Sequence, residues 1–139
     1  MYDRAHTRSI RELGGLVQRM PYITLAWVMA ALASLGLPGF VGFIAEFEIF
    51  VGTFGAHHVG TFLAVTGIVL SAAYLLWMLE RAFFGPMKES WNRLKDMAPL
   101  EVTYMTVMLL VVFAAGVFPA FFTTMIDRGV APLVSRVSG

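Results

Sequence analysis

Cysteine is absent from all 139 residues. That excludes disulfides, thiolate-ligated iron–sulfur clusters and cysteine nucleophiles. Charge is scarce as well. Asp, Glu, Lys and Arg make up 14% of the chain, against about 25% in an ordinary soluble domain. With a net charge of +1 and no basic stripe, nothing in the chain suits a nucleic-acid partner. The chain has no Gly-rich phosphate loop, HExxH metal motif, nucleophile elbow or dinucleotide fingerprint. His57 and His58 have no further ligand near them in sequence, so no metal site is expected. No cofactor-binding residue is expected either.

What fills the chain is apolar. Hydrophobic residues make up 58% of it, and the mean hydropathy is +0.75. Three long apolar stretches stand out, 21–54, 59–84 and 100–123. Each exceeds the ~20 residues a helix needs to cross a bilayer. None alternates polar and apolar residues as a membrane barrel strand must, and an open strand edge cannot face lipid. The expected fold class is therefore an all-α integral membrane bundle of three transmembrane helices. A polar loop (1–20) precedes the first, and a tail (124–139) follows the last. The first residues, MYDRAHTRSIRELGG, lack the apolar core of a signal peptide. The chain opens inside a polar loop, as a piece of a longer protein would.

The first stretch is 34 residues long and is interrupted at Leu37-Pro38-Gly39. It reads either as two short spans or as one broken span. Lys and Arg decide between the two. Arg4, Arg8, Arg11 and Arg19 lie in the first loop, and Arg81, Lys88, Arg93 and Lys95 lie in or beside the 85–99 loop. Residues 55–58 carry none. Cytoplasmic loops hold the excess of Lys and Arg. One broken span puts both basic loops in the cytoplasm, whereas two spans would separate them. The expected topology is one broken span, with the N-terminal loop on the cytoplasmic side.

Glu46 and Glu48 are the only charges within that stretch. A carboxylate at membrane depth costs roughly 2–4 kcal/mol even on lenient scales, and such groups usually serve ion or proton pathways. A helix break next to an acid is how transporters build sites near the midplane. On a helix after the break, Gly39, Gly42, Phe43, Ile49, Phe50 and Thr53 share the Glu46 face. Glu48 projects about 200° away. Glu46 is thus the expected protonatable site. The bland alternative for Glu46 is a structural acid paired with a Lys or Arg elsewhere, and for Glu48 an interfacial or helix-pairing role. On the next helix Gly60, Gly67, Tyr74 and Arg81 recur every seven residues, with Ser71 and Thr66 beside them. That stripe reads first as a packing face and second as a water-lined path. Thr66, Ser71 and Tyr74 are secondary site candidates. Trp27, Trp77 and Trp91 suit interfacial or packing positions.

The run Tyr2-Asp3-Arg4-Ala5-His6-Thr7-Arg8, with Gly14-Gly15-Leu16 and Met20-Pro21 after it, resembles a loop of the antiporter-like subunits of respiratory complex I. Leu32-Ala33-Ser34-Leu35-Gly36-Leu37-Pro38-Gly39, with Gly42-Phe43 and Glu46-Phe47, resembles the broken helix that follows that loop. Ala72-Ala73-Tyr74 and Arg81-Ala82-Phe83-Phe84-Gly85 extend the likeness over most of the chain. The pattern is similar to the M type, which has Pro-Gly at the break and Glu after it. The L and N types usually show Pro-Pro and Lys. The D subunit of the photosynthetic relatives is close to M. Two positions depart from the pattern: Ala45 stands where Gly is usual, and Glu48 where an apolar residue is usual.

The resemblance implies a bundle of about fourteen helices in two inverted halves. This chain would supply the last three, and Glu46 would be the terminal acid of the second half-channel. It implies proton translocation coupled to NADH:quinone oxidoreduction in a bacterial cytoplasmic membrane. NADH, FMN, iron–sulfur clusters and quinone would be handled by partner subunits. The implied partners are the other membrane-arm subunits and the lipid bilayer. Two alternatives stand beside this reading: a structural assembly module of the arm, and part of a cation/proton antiporter.

Overall fold

The computed structural model describes residues 2–137 of the chain. The described residues fold into helices and turns, with no strand among them. A short helix α1 (Tyr2–Ala5) leads into a loop with a 3-10 turn at Leu16–Gln18. Then come α2 (Pro21–Ser34), α3 (Val41–Phe54), α4 (His58–Leu79) with a π-helical extension over Glu80–Phe84, α5 (Pro99–Val117) and α6 (Ala120–Val137).

The core lies where the two polar loops meet. Leu16, Met20 and Phe83 are fully buried, and Ile23, Leu79 and Ala82 join them. Trp91, Leu94 and Met97 close over this cluster from the 85–99 loop. Fully burying a side chain of this size is worth about 1.5–3 kcal/mol. Polar contacts add to it. The Trp91 indole N–H donates to the Glu12 carbonyl at 3.2 Å, Lys88 Nζ to the Arg11 carbonyl at 3.1 Å, and Arg19 to Asn92 Oδ1 at 2.9 Å. Arg4 pairs with Glu101 at the start of α5. The two basic loops therefore sit together at one end of the molecule.

That shared end fixes the path of the chain. The path leaves it along α2, reaches the far turn at Ala56-His57, and returns along α4, whose last turns pack on Leu16 and Met20. It leaves again along α5. The interrupted helix touches both α4 and α5.

Two findings correct the sequence expectation. Among the described residues two helices, not three, are each long and apolar enough to cross a membrane: His58–Phe84 and Pro99–Val117. The first stretch is instead two helices of 14 residues, each rising only about 21 Å. The second correction concerns the C-terminus. The third apolar stretch does not run to 123, because the helix ends at Val117 and Phe118 adopts φ −118°, ψ 63°. Pro119 has no N–H with which to continue the ladder. The chain restarts as α6, where a tail was expected, and the Pro119 carbonyl accepts the N–H groups of Phe122 and Thr123. Of the expected tail, Ser138 and Gly139 lie outside the described residues.

Outside the core the apolar side chains are largely exposed. Val59, Phe62, Leu63, Val69 and Leu70 on α4 are examples, with Val107, Met108, Leu110 and Val111 on α5. Contiguous apolar surface of this extent requires lipid or other protein against it.

Candidate functional site

The break between α2 and α3 is built from two turns in succession. Gly36 takes a left-handed φ of +61°. Its N–H donates to the Ala33 carbonyl at 3.3 Å, and the Leu37 N–H donates to the Leu32 carbonyl at 3.4 Å. This pair of bonds is a Schellman C-cap. A second turn follows, in which the Phe40 N–H reaches the Leu37 carbonyl at 3.1 Å across Pro38-Gly39, with Gly39 at φ +100°. Pro followed by a positive-φ Gly is the preference of a type II turn. Phe40 is then extended, and α3 starts at Val41.

Close packing holds the break in place. Gly116 of α5 lies so near that a methyl group on it would sit 2.5 Å from the Gly39 carbonyl oxygen. The Phe113 ring meets the Phe40 ring edge-to-face at 5.9 Å. At the base of α3, a methyl on Gly42 would lie 2.6 Å from the Ala33 carbonyl oxygen. Gly42 therefore serves close approach of the two half-helices.

Glu46 reaches back across the break. It is half-buried, and its carboxyl lies against Gly36. A methyl on Gly36 would be 2.8 Å from Glu46 Cδ and 3.2 Å from Oε1. Among the described residues no hydrogen-bond donor or cation engages this carboxyl. A helix C-terminus carries partial negative charge. A carboxyl set against such an end is complemented by a proton or a cation, the chemistry that broken helices provide in ion transporters.

The other sequence candidates fall elsewhere. Glu48 is exposed. Thr66 is exposed, and its hydroxyl donates to the Leu63 carbonyl of its own helix at 2.6 Å, not across to a neighbour. Ser71 is half-buried, and Tyr74 is exposed. Among the described residues, none outside the local helix backbone comes within contact range of where a Cβ on Gly67 would be. The seven-residue stripe thus faces outward from the described residues. His57 precedes α4, and the His58 ring lies tilted at 47° against the Phe54 ring with centres 4.7 Å apart. No group of three metal-ligating side chains occurs among the described residues.

Three contributors escaped the sequence reading. Gly36 touches Glu46 from ten positions away on the other half-helix, and the signal for it was a Gly closing an apolar run just ahead of a Pro. Asp96 caps the start of α2: its carboxylate accepts the N–H groups of Tyr22 at 2.8 Å and Ile23 at 3.2 Å, besides that of Met97 at 2.8 Å. No local pattern announces that cap. Thr61 is buried, with its hydroxyl 2.9 Å from the His57 carbonyl and 3.1 Å from the Thr53 hydroxyl, which ties α3 to α4 at the far turn.

Comparison with known proteins follows the same pattern. The family described as NADH:quinone oxidoreductase/Mrp antiporter, TM, matches residues 1–71. The chain is 39% identical over 137 residues to NADH-quinone oxidoreductase subunit M of Rhodobacter capsulatus, a match covering 98% of this chain and 27% of that protein. It is also 39% identical over 135 residues to F(420)H(2) dehydrogenase subunit M of Methanosarcina mazei, covering 97% and 27%. A chain in the structure of respiratory complex I from Thermus thermophilus with bound NADH superposes with a TM-score of 0.84 at 32% identity, covering 95% of this chain and 27% of that one. The chain thus spans only 27% of the length of these relatives.

Proposed function

The chain belongs to the NADH:quinone oxidoreductase/Mrp antiporter transmembrane family, and we propose that it forms part of a proton-translocating membrane subunit coupled to quinone reduction. One observation carries this reading: the Glu46 carboxyl is seated, without a partner among the described residues, at the carbonyl end of an interrupted helix. Glu46 is the proton-carrying group. Pro38 and Gly39 maintain the interruption, and Glu48, Thr66, Ser71 and Tyr74 are secondary candidates for contact with water or with neighbouring helices.

In the bilayer α2, the break and α3 together make one crossing, α4 the second and α5 the third. The 14 residues of α2 rise about 21 Å, which puts the break inside a hydrocarbon core about 30 Å thick. The shared end of the two basic loops faces the cytoplasm of a bacterial cell. Movement of charge in neighbouring parts of the subunit is the signal to which proton uptake and release at Glu46 respond.

The partners are other membrane-arm subunits and lipid. Electron transfer belongs to subunits that hold NADH, FMN, iron–sulfur clusters and quinone. The two relatives above, named for NADH and for F(420)H(2), match this chain at equal identity. That equality supports a role common to both, independent of the electron donor.

The test is Glu46→Gln in the complete subunit. Gln keeps the shape and hydrogen-bonding capacity of Glu but cannot exchange a proton in the working range. Proton translocation per electron should fall while the amount of assembled complex holds. Normal translocation would remove Glu46 from the pathway.

A further inference from the structure

Beyond the acid itself, we infer that Gly36 is its positioning residue: the absence of a side chain at Gly36 creates the seat on which the Glu46 carboxyl rests. The inference rests on Glu46 being the proton-carrying group, and it assigns the reason that group sits where it does.

Gly36 answers two demands at once. Its φ of +61° closes the Schellman cap of α2, and this alone favours glycine. It is also buried, and the space where a Cβ would stand is occupied by Glu46. The collision would involve Cδ as well as both oxygens, with Cδ at 2.8 Å and Oε1 at 3.2 Å. A carboxyl meeting a methyl at that range has to move, by rotation about the side-chain bonds or by withdrawal of α3. Withdrawal would open close packing on two sides. The base of α3 at Gly42 lies against the Ala33 carbonyl, and the break lies against Gly116 of α5. Rotation is the smaller change, and it carries the carboxyl off the end of α2.

Gly39 provides the internal comparison. Its φ of +100° is at least as hard on a side chain, yet among the described residues a methyl there would meet only Phe113, at 3.4 Å. Backbone strain without displacement of Glu46 is what Gly39→Ala produces. Strain with displacement is what Gly36→Ala produces.

The experiment uses the full-length subunit in the assembled complex. Gly36→Ala, Gly39→Ala, Glu46→Asp, Glu46→Gln and the double variant Gly36→Ala/Glu46→Asp are compared for assembled amount and for proton translocation per electron. Gly36→Ala should lower translocation roughly tenfold, within the range that an ångström of misplacement costs a reacting group. Gly39→Ala should lower it less. Asp is one methylene shorter than Glu, so the double variant should pump better than Gly36→Ala alone. If Gly36→Ala fails to assemble, restored assembly in the double variant supports the collision, and continued failure there overturns it. Equal pumping by Gly36→Ala and Gly39→Ala, or an assembled double variant no better than Gly36→Ala, also overturns the inference. Glu46→Gln separates the two ideas. Normal pumping by it removes the acid from the pathway. Lost pumping by it beside normal pumping by Gly36→Ala rejects the positioning role alone.

Discussion

Asp96 caps Tyr22 from 74 residues away, its carboxylate accepting the backbone N–H at 2.8 Å. With the bond to the next N–H, at Ile23, it satisfies donors that the first turn of a helix otherwise leaves unpaired. The same bonds place the entry to the interrupted helix beside the entry to α5. Removing a capping carboxylate to Ala costs about 0.5–2 kcal/mol. Asp96→Ala should therefore lower the thermal stability of the assembled subunit by that order, while Asp96→Asn, which keeps an acceptor oxygen, should lower it less. Thermal unfolding of the complex in detergent, followed for each variant, makes the comparison.

The pairing of the loops predicts their sidedness. A cysteine introduced at Ser90 should react with an impermeant maleimide from the cytoplasmic side, in inverted vesicles, and not from outside in sealed cells. One placed at His57 should show the opposite pattern. The chain has no cysteine of its own to obscure the signal. Outside labelling at Ser90 would rule out a single broken crossing with cytoplasmic loops.

The two carboxylates should separate in function. Glu46→Asp keeps the charge and shortens the reach, so it should retain part of the coupled pumping. Glu48 is exposed and on another face, so Glu48→Gln should pump close to the parent level. Proton-to-electron ratios measured in membranes with matched amounts of complex decide this. The reverse ranking would mean that Glu48 is the working acid.

Gly116 should tolerate no side chain. A Cβ there would meet backbone atoms of Gly39 and Phe40, not the flexible end of a side chain, and overpacking of this kind costs roughly 1–3 kcal/mol. Gly116→Ala should reduce the amount of assembled complex, as read on native gels. Gly129→Ala, where no atom of the described residues lies near a Cβ outside the local helix backbone, should leave assembly unchanged.

By itself the sequence determined the material and the break. Runs of apolar residues with few charges dictate helices in lipid, because lipid leaves backbone groups no other partner. Pro38 and Gly39 dictate an interruption, because one lacks an N–H and the other accepts a positive φ. The isolation of Glu46 among apolar neighbours marks it in the sequence. The end of α5 and the helical nature of 120–137 were not legible. Pro119 permits either a stop or a restart, and only the chain's local path decides which. Tertiary structure alone decided what surrounds the acid. Helical periodicity pointed to Gly39 and Gly42, since it reports neighbours on one helix. The carboxyl also lies against Gly36, on the other side of the break, because the two turns between Leu35 and Phe40 fold the end of one half-helix against the start of the next. The same holds for Asp96 on Tyr22 and for Gly116 on Gly39. Each is a contact between distant segments, set by how helices pack and invisible to any pattern read along one of them.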